Sequence, residues 1–257
     1  PDAGQAVSMN PSSPALHKAF HQGERVCEGI ARDGDWANVQ SGIDFMTRHR
    51  DRPFCLFLPL VFVHPPYFAE KPFHLSHDRS EIDGPTPPDF SRKQGVLRDL
   101  YRFQGHEALS DGDLREIRGM YMDMISRVDA LFGDLIDAVK RLGLEENTTI
   151  VFTSDHGDFA GDYGLTEKWN NGVEDCLVRI PLVIKTPGQK GGVLDQRLTE
   201  GLDLYKTLLD IVGIPPEHPH FSRNVFENEH GRAAVFCESG FNEDELQAAT
   251  YSSNAGP

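Results

Sequence analysis

The most regular pattern in the sequence is an amphipathic stretch that runs from Ser110 to Leu144. Apolar side chains recur there at steps of three and four residues, which places them on one face of a long helix. They are Leu114, Ile117, Tyr121, Met124, Val128, Leu131, Leu135, Val139 and Leu142. The β-branched and apolar run Thr148–Thr153 follows closely and predicts a buried strand. A long helix followed at once by such a strand is typical of an α/β fold.

Other segments extend this alternation of helices and strands. We predict helices over residues 35–48 and 202–212, strands over 54–63, 180–184 and 233–236, and a long irregular segment over 70–112. The continuous apolar run from Phe54 to Val63 is typical of a strand covered on both faces, interrupted or bulged at Pro59. The irregular segment is interpreted either as a functional lid or as an ordinary surface loop.

Composition restricts the classes of partner. The 257 residues include 25 Lys and Arg against 40 Asp and Glu, a formal net charge of −15. Non-specific binding to nucleic acid or to an anionic membrane depends on basic patches, so neither is expected. No apolar run approaches the roughly 20 residues of a membrane span. The four cysteines are scattered with no CxxC pair, which argues against a zinc cluster. An anionic substrate would therefore need local positive charge from a metal or from a few Lys, Arg and His residues.

Two places in the sequence have the residue types and the position of a ligand site. In open α/β sheets ligands bind beyond the carboxyl ends of the strands. Asp155 and His156 directly follow the strand predicted to end at Thr153, and a carboxylate with an imidazole can bind a divalent metal. His64 follows the apolar run that ends at Val63. The alternatives are a capping turn at Asp155 and a hydrogen-bonded structural role for His64.

The order of several motifs resembles the sulfatase family of the alkaline phosphatase superfamily. Residues 155–168 are similar to its signature, in which an Asp-His or Asp-Asn pair, a Gly-rich turn and a later Lys follow a strand. Residues 175–188 resemble the next strand and its Pro-Gly turn, and Phe62–Tyr67 is similar to a His-x-Pro-Tyr element. The resemblance spans about residues 35 to 240.

The resemblance implies a fold, a chemistry and roles for individual residues. The fold is a mostly parallel central sheet covered by helices, and it would be incomplete here. Asp155 and His156 would be metal ligands, whereas Lys168 and His64 would contact the sulfate and its leaving oxygen. Without the resemblance, Lys168 would be interpreted as a surface lysine beside Glu167. The metal implied is Ca²⁺, with Mn²⁺ as the alternative, because the Asp-His pair also resembles choline-sulfatase and phosphonate-monoesterase relatives.

The activity implied is hydrolysis of a sulfuric ester, carried by a small molecule or a saccharide. The alternative within the superfamily is a phosphodiester or phosphonate monoester hydrolase, and the alternative outside it is a non-catalytic module. No other cofactor-binding residue is expected. The oligomeric state stays open, as does the compartment, for which the resemblance favours the periplasm or secretion.

The sequence also departs from the family pattern. It contains no N-terminal pair of metal-binding Asp residues and no Cys-x-Pro-x-Arg or Ser-x-Pro-x-Arg element, whose Cys or Ser becomes the formylglycine nucleophile. We therefore expect an irregular segment over 1–34, a partial catalytic domain over 35–240 and an irregular end over 241–257. The formylglycine is expected outside this chain, and the chain alone is expected to be inactive.

Overall fold

The computed structural model describes residues 8–9, 13–93, 95–169, 172–189, 191–227 and 231–237. These residues belong to two compact units. The first contains the described residues up to Ile150 together with Asp158–Lys168. The second contains Val151–Gly157 together with the described residues from Trp169 onward. The segment from 151 to 169 therefore contributes to both units in turn.

A three-stranded sheet lies in the first unit. Its strands are β1 (Ser8–Met9), β2 (His21–Val26) and β3 (Tyr67–Ala69), in that order. The pair β1–β2 is antiparallel and the pair β2–β3 is parallel, with a bulge between His21 and Gly23. The prediction that residues 1–34 are irregular was wrong for β2 and for the short helix α1 (Pro14–Lys18). The partner strand β3 comes from a distant part of the chain, which a local pattern does not reveal.

Helices cover this sheet. Besides α1, they are α2 (Gly34–His49), α3 (Gly95–Phe103) and α4 (Asp111–Arg141), with 3₁₀ turns at His106–Ala108, Glu145–Asn147 and Asp162–Gly164. The predicted helix over 35–48 is confirmed as α2. The prediction of an irregular segment over 70–112 was wrong where α3 forms, since Leu97 and Leu100 recur on one face of that helix and are buried.

The long helix predicted from the apolar stripe is confirmed as α4. The Ser110 hydroxyl accepts a hydrogen bond from the Asp113 backbone N–H, and the Asp113 carboxylate accepts one from the Ser110 N–H, so that a capping box starts the helix. Its buried face packs against α2, β2 and β3. One core cluster consists of Ala19, Tyr67, Ala69, Phe73, Leu114, Ile117, Met120 and Met124.

The strand predicted over 54–63 is wrong. Within the described part of the chain this segment pairs with no strand, and its side chains alternate between partly buried and exposed. The Asp35 carboxylate of α2 accepts hydrogen bonds from the backbone N–H groups of Val61 (2.9 Å) and Phe62 (2.8 Å). A side chain of a helix thus satisfies backbone groups that a neighbouring strand would otherwise bind.

A buried ion network joins β2, β3 and α4. Glu70, directly after β3, accepts hydrogen bonds from Arg127 of α4 (Nε–Oε1 2.8 Å) and from Arg25 of β2 (Nη2–Oε2 2.5 Å). The Asp33 carboxylate bonds both arginines in turn. The side chains of Glu70 and Arg127 are 0% exposed. Burial raises the pKa of Glu70, but the hydrogen bonds from Arg127 and Arg25 outweigh burial and leave that pKa below its ordinary value.

The second unit contains a strand pair and two helices. The strand β4 (Ile150–Thr153), whose residues from Val151 belong to this unit, lies beside β5 (Leu182–Lys185). The helices are α5 (Asp175–Val178) and α6 (Asp203–Val212). The predicted strands at 148–153 and 180–184 and the helix at 202–212 are confirmed. The side chains of β4 are partly buried, except that of Thr153, which is exposed.

The strand predicted over 233–236 is wrong, because the structure assigns no strand in the described range 231–237. The backbone N–H of Phe236 donates to the Glu200 carboxylate at 3.0 Å, and the Phe236 side chain is exposed. The residues 238–240 that the family resemblance also included lie outside the described residues. None of the helices in the described ranges has both the length and the apolar character that crossing a bilayer requires.

A neutral histidine is buried in the first unit. The His106 ring is 1% exposed and lies edge-on to Tyr101, and its Nε2 is 3.5 Å from the Thr166 hydroxyl. Burial lowers the pKa of His106 to about 4, against the opposing effect of a hydrogen bond with the Gly164 backbone. The folded protein therefore keeps this ring uncharged at neutral pH.

We expect Glu70→Gln to lower the free energy of unfolding by about 3–5 kcal/mol, because it removes the fully buried one of the two carboxylates that Arg25 and Arg127 share. Urea denaturation followed by circular dichroism measures this. The control is Asp99→Asn, which breaks the exposed Arg98–Asp99 pair and is expected to cost less than about 1 kcal/mol. A Glu70→Gln protein as stable as the Asp99→Asn protein would contradict a structural role for the network.

We also expect His106 to make stability depend on pH. The unfolded chain binds a proton at this ring near its ordinary pKa of about 6.5, whereas the folded chain binds it only near pH 4. Stability is therefore fully present above pH 6.5 and is lost as pH falls towards 4, by on the order of 3 kcal/mol. Across this window the denaturation midpoint should depend less on pH in His106→Phe than in the wild-type protein. The exposed-site control His17→Gln should keep the wild-type dependence. Equal slopes in both variants would refute the assignment.

Candidate active site

Asp155 and His156 lie in the second unit, in the loop that directly follows β4. The Asp155 side chain is 88% exposed and that of His156 is 38% exposed. Gly157 fixes the loop against α5, because its N–H donates to the Leu177 carbonyl at 2.7 Å. A Cβ at this position would lie 2.0 Å from the Cys176 carbonyl oxygen. Glycine is therefore required for this close approach.

Hydrogen bonds within this loop define which atoms are available to a ligand. One Asp155 oxygen, Oδ1, accepts from the His156 backbone N–H at 3.0 Å. The His156 Nδ1 lies 2.8 Å from the Gly157 carbonyl oxygen. A carbonyl oxygen can only accept, so this contact places the proton on Nδ1 and the lone pair on Nε2. Locking one ring nitrogen on a backbone carbonyl is the usual arrangement for a metal-binding histidine.

The donor set fits part of a metal site. Asp155 Oδ2 and His156 Nε2 are 3.7 Å apart and offer the oxygen and nitrogen donors that divalent cations accept. Within the described ranges, no group of three or more His, Cys, Asp and Glu side chains that could hold a metal occurs. The pair therefore offers two candidate donor atoms, and further ligands would have to complete any coordination.

His64 and Lys168 lie together in the first unit. The Lys168 Nζ is 2.5 Å from the His64 Nε2, although the two residues are 104 positions apart in the sequence. The His64 Nδ1 lies 2.7 Å from the Pro65 carbonyl oxygen, which places the ring proton on Nδ1 and leaves Nε2 to accept from the ammonium. His64 is exposed and the Lys168 side chain is 28% exposed, so both can be reached from solvent.

The segment Asp158–Lys168 holds the lysine on a tightly closed loop. The Phe159 N–H donates to the Glu167 carbonyl at 2.9 Å, and the Gly161 N–H donates to the Leu165 carbonyl at 2.9 Å. Phe159 and Leu165 are fully buried at 0% exposure. These bonds fix the two ends of the loop together, so that the position of Lys168 is set by buried residues rather than by a flexible surface chain.

Tyr67 connects this loop to the segment that carries His64. Its hydroxyl donates to the Asp158 carboxylate at 2.7 Å and accepts from the Glu167 N–H at 2.6 Å. Burial raises the pKa of Tyr67 well above its usual value, and the neighbouring Asp158 charge raises it further, so the phenol stays protonated. Sequence reasoning did not single out Tyr67 as a site residue, although it lies in the His-x-Pro-Tyr element that carries His64.

Comparison with known proteins identifies relatives of this chain. A family profile described as Sulfatase matches residues 5–214. The chain is 29% identical over 192 residues to the multifunctional alkaline phosphatase superfamily protein PehA of Trinickia caryophylli, a match that covers 68% of the chain and 37% of that protein. It is 32% identical over 174 residues to the choline-sulfatase of Rhizobium meliloti, covering 65% of the chain and 33% of that protein.

A solved structure shares the fold. The phosphonate monoester hydrolase of Agrobacterium radiobacter superposes with a TM-score of 0.64 at 25% identity, over 83% of this chain and 48% of that one. The α/β class with a partly parallel sheet covered by helices is confirmed. The chain spans about a third to a half of the length of each of these three proteins.

Proposed function

The chain belongs to the sulfatase family, whose profile matches most of its length, and we propose that the protein it comes from hydrolyses sulfuric esters with the assistance of a metal ion. The observation that carries this proposal is the contact between Lys168 and His64, Nζ to Nε2 2.5 Å. An ammonium and an imidazole ring side by side, both reachable from solvent, form a site for the oxygens of a tetrahedral anion.

The proposed work of this pair is electrostatic. Cleavage of a sulfate ester spreads negative charge over the sulfate oxygens and the leaving oxygen. Donors that are already in place stabilise that charge without reorganising during the reaction. Lys168 presents three N–H groups, of which the contact with His64 uses one, and the Glu167 carboxylate lies 3.6 Å from the ammonium. The remaining donors are proposed to bind a sulfate oxygen and to assist the leaving oxygen.

His64 is proposed to contact the same group of oxygens. In the absence of an anion its Nε2 accepts from Lys168, because the Nδ1 proton is held by the Pro65 carbonyl. An anion between the two side chains would accept from the Lys168 ammonium and contact the His64 ring.

Asp155 and His156 are proposed as two of the metal ligands. The support is their donor set and the Gly157 carbonyl that directs His156 Nε2 away from the backbone. We propose Ca²⁺, with Mn²⁺ as the alternative that the Asp-His pair favours. Such a cation supplies Lewis-acid stabilisation of negative oxygens when it is bound. It also supplies local positive charge in a chain whose net charge is −15.

The attacking group is proposed to come from residues that do not belong to this 257-residue sequence. The family uses a hydrated formylglycine, and no cysteine of this sequence starts a Cys-x-Pro-x-Arg element. The chain expressed alone is accordingly proposed to turn over no sulfate ester. Small-molecule or saccharide esters are the proposed substrates.

A second function is favoured by the similarity to the phosphonate monoester hydrolase. Phosphonate monoesters and phosphodiesters present the same kind of tetrahedral anion to Lys168 and His64. The two functions differ in which ester is cleaved faster, so they are distinguished by assaying both on one preparation.

In the protein expressed from its whole gene, we expect Lys168→Ala to lower kcat for an aryl sulfate by roughly a hundredfold or more, as removal of one oxyanion donor does. The matched control is Lys71→Ala, which removes an exposed lysine paired with Glu24. Initial rates on p-nitrophenyl sulfate and on a phosphonate monoester are measured in parallel. Cleavage of the phosphonate with none of the sulfate would replace the sulfatase proposal by its alternative, and an unchanged kcat in Lys168→Ala would remove the proposed role of this lysine.

For the metal site, we expect Asp155→Ala to weaken binding of Ca²⁺ or Mn²⁺ at least roughly tenfold, because a charged ligand is lost. Isothermal titration of the whole-gene protein with each ion measures the affinity without requiring turnover. Asp51→Ala is the control, since that carboxylate is similarly exposed, at 93%, and forms only a long contact with Arg50. Equal affinities in the two variants would mean that Asp155 is a turn residue and not a ligand.

A further inference from the structure

The loop that ends at Lys168 has an unusual backbone at both ends. Ala160 has φ +44° and Glu167 has φ +64°, and both are non-glycine residues in the left-handed region. This conformation is unfavourable for side chains other than glycine, because Cβ comes too close to the neighbouring carbonyl oxygen. It persists only where surrounding contacts over-determine it. Tyr163, with φ +56°, lies between them. The contacts at Ala160 and Glu167 are those nearest the two ends of the loop, and Glu167 directly precedes Lys168.

Both contacts lead to one hydroxyl group. The Glu167 N–H donates directly to the Tyr67 hydroxyl at 2.6 Å. The Ala160 N–H donates at 2.8 Å to Asp158 Oδ1, the oxygen that also accepts from the Tyr67 hydroxyl at 2.7 Å. A single phenol thus links the left-handed residue before Lys168 to the one near the start of the loop.

Tyr67 itself is held rigidly. Its ring is fully buried in the core cluster with Met120 and Met124 of α4, and its backbone N–H donates to the Phe20 carbonyl at 2.7 Å. It follows His64 by three positions on the same segment. The position of the hydroxyl is therefore set by the helix and sheet, and it relates the lysine-bearing loop to the histidine-bearing segment.

We propose that Tyr67 is the positioning residue for Lys168: its hydroxyl, bridging Asp158 and the Glu167 N–H, keeps the loop in the one geometry that holds the ammonium beside His64. This inference rests on the proposed function, because positioning matters for catalysis only if Lys168 binds the ester. The hydroxyl contacts neither of the proposed anion-binding groups, so its effect passes through the backbone of Glu167.

The test is Tyr67→Phe in the protein expressed from its whole gene, because it removes only the hydroxyl and leaves the buried ring. The reactivity of Lys168 towards an acylating reagent is measured by mass spectrometry, with Lys71 and Lys140 as internal references. Hydrogen exchange of the Glu167 amide is followed in the same samples. We expect both the relative acylation of Lys168 and the exchange of Glu167 to rise severalfold, and kcat on an aryl sulfate to fall more than KM changes.

The matched control is Tyr101→Phe. The Tyr101 ring lies against Gly164 of the same loop, but its hydroxyl makes none of the bonds to Asp158 and Glu167 that define the bridge. A purely structural effect of losing a tyrosine hydroxyl would appear in both variants. Unchanged Lys168 reactivity in Tyr67→Phe, or an equal rise in Tyr101→Phe, would overturn the proposal.

A second variant tests the bridge independently, in case Tyr67→Phe does not fold. Asp158→Ala removes the opposite end of the bridge while Tyr67 stays in place, and it is expected to raise Lys168 reactivity in the same direction. If neither variant raises it, Tyr67 does not position the lysine. If both raise it but the wild-type protein cleaves neither ester, the positioning is supported and the proposed function is the part that fails.

Discussion

The buried bond between Glu70 and Arg127 is the interaction on which the first unit depends. It fixes the end of β3 against α4, and Arg25 extends it to β2, so that one carboxylate determines the mutual arrangement of three elements. Buried charged side chains are tolerated only when each of them is paired, because each ion loses its hydration on burial. The network therefore favours one register of β3 on α4, and that register places Tyr67 within the core.

The site is built outward from that arrangement. Tyr67 begins β3, three residues after His64, and it bonds the loop that carries Lys168. Packing of the Tyr67 ring against the apolar face of α4 thus fixes the position of its hydroxyl. The hydrogen bonds of that hydroxyl hold the left-handed backbone of the loop that carries Lys168. The net charge of −15 does not oppose the proposed anion site, because two side chains within hydrogen-bonding distance would set its charge locally.

Much of the fold could be predicted from periodicity, and the failures have a common cause. The stripe of α4 and the strand β4 follow from local patterns, and the motif order led to Asp155, His156, His64 and Lys168. The run 54–63 has the composition of a buried strand, but Asp35 of α2 satisfies its backbone instead. Pairing partners that lie far away in the sequence are not encoded in a local period. The bond from Tyr67 to Glu167 spans 100 positions, so no local pattern indicated it.

Two histidines in different units use the same local device for different chemistry. In each, Nδ1 binds the carbonyl oxygen of the next residue, at 2.7 Å for His64 and 2.8 Å for His156, which leaves the Nε2 lone pair facing outward. The side chain that lies beside Nε2 then determines what each histidine can bind. Beside His64 it is the Lys168 ammonium, so the ring accepts a hydrogen bond from a cation. Beside His156 it is the Asp155 carboxylate at 3.7 Å, so this pair presents an oxygen and a nitrogen donor together, which is the donor set on which the proposed metal site rests.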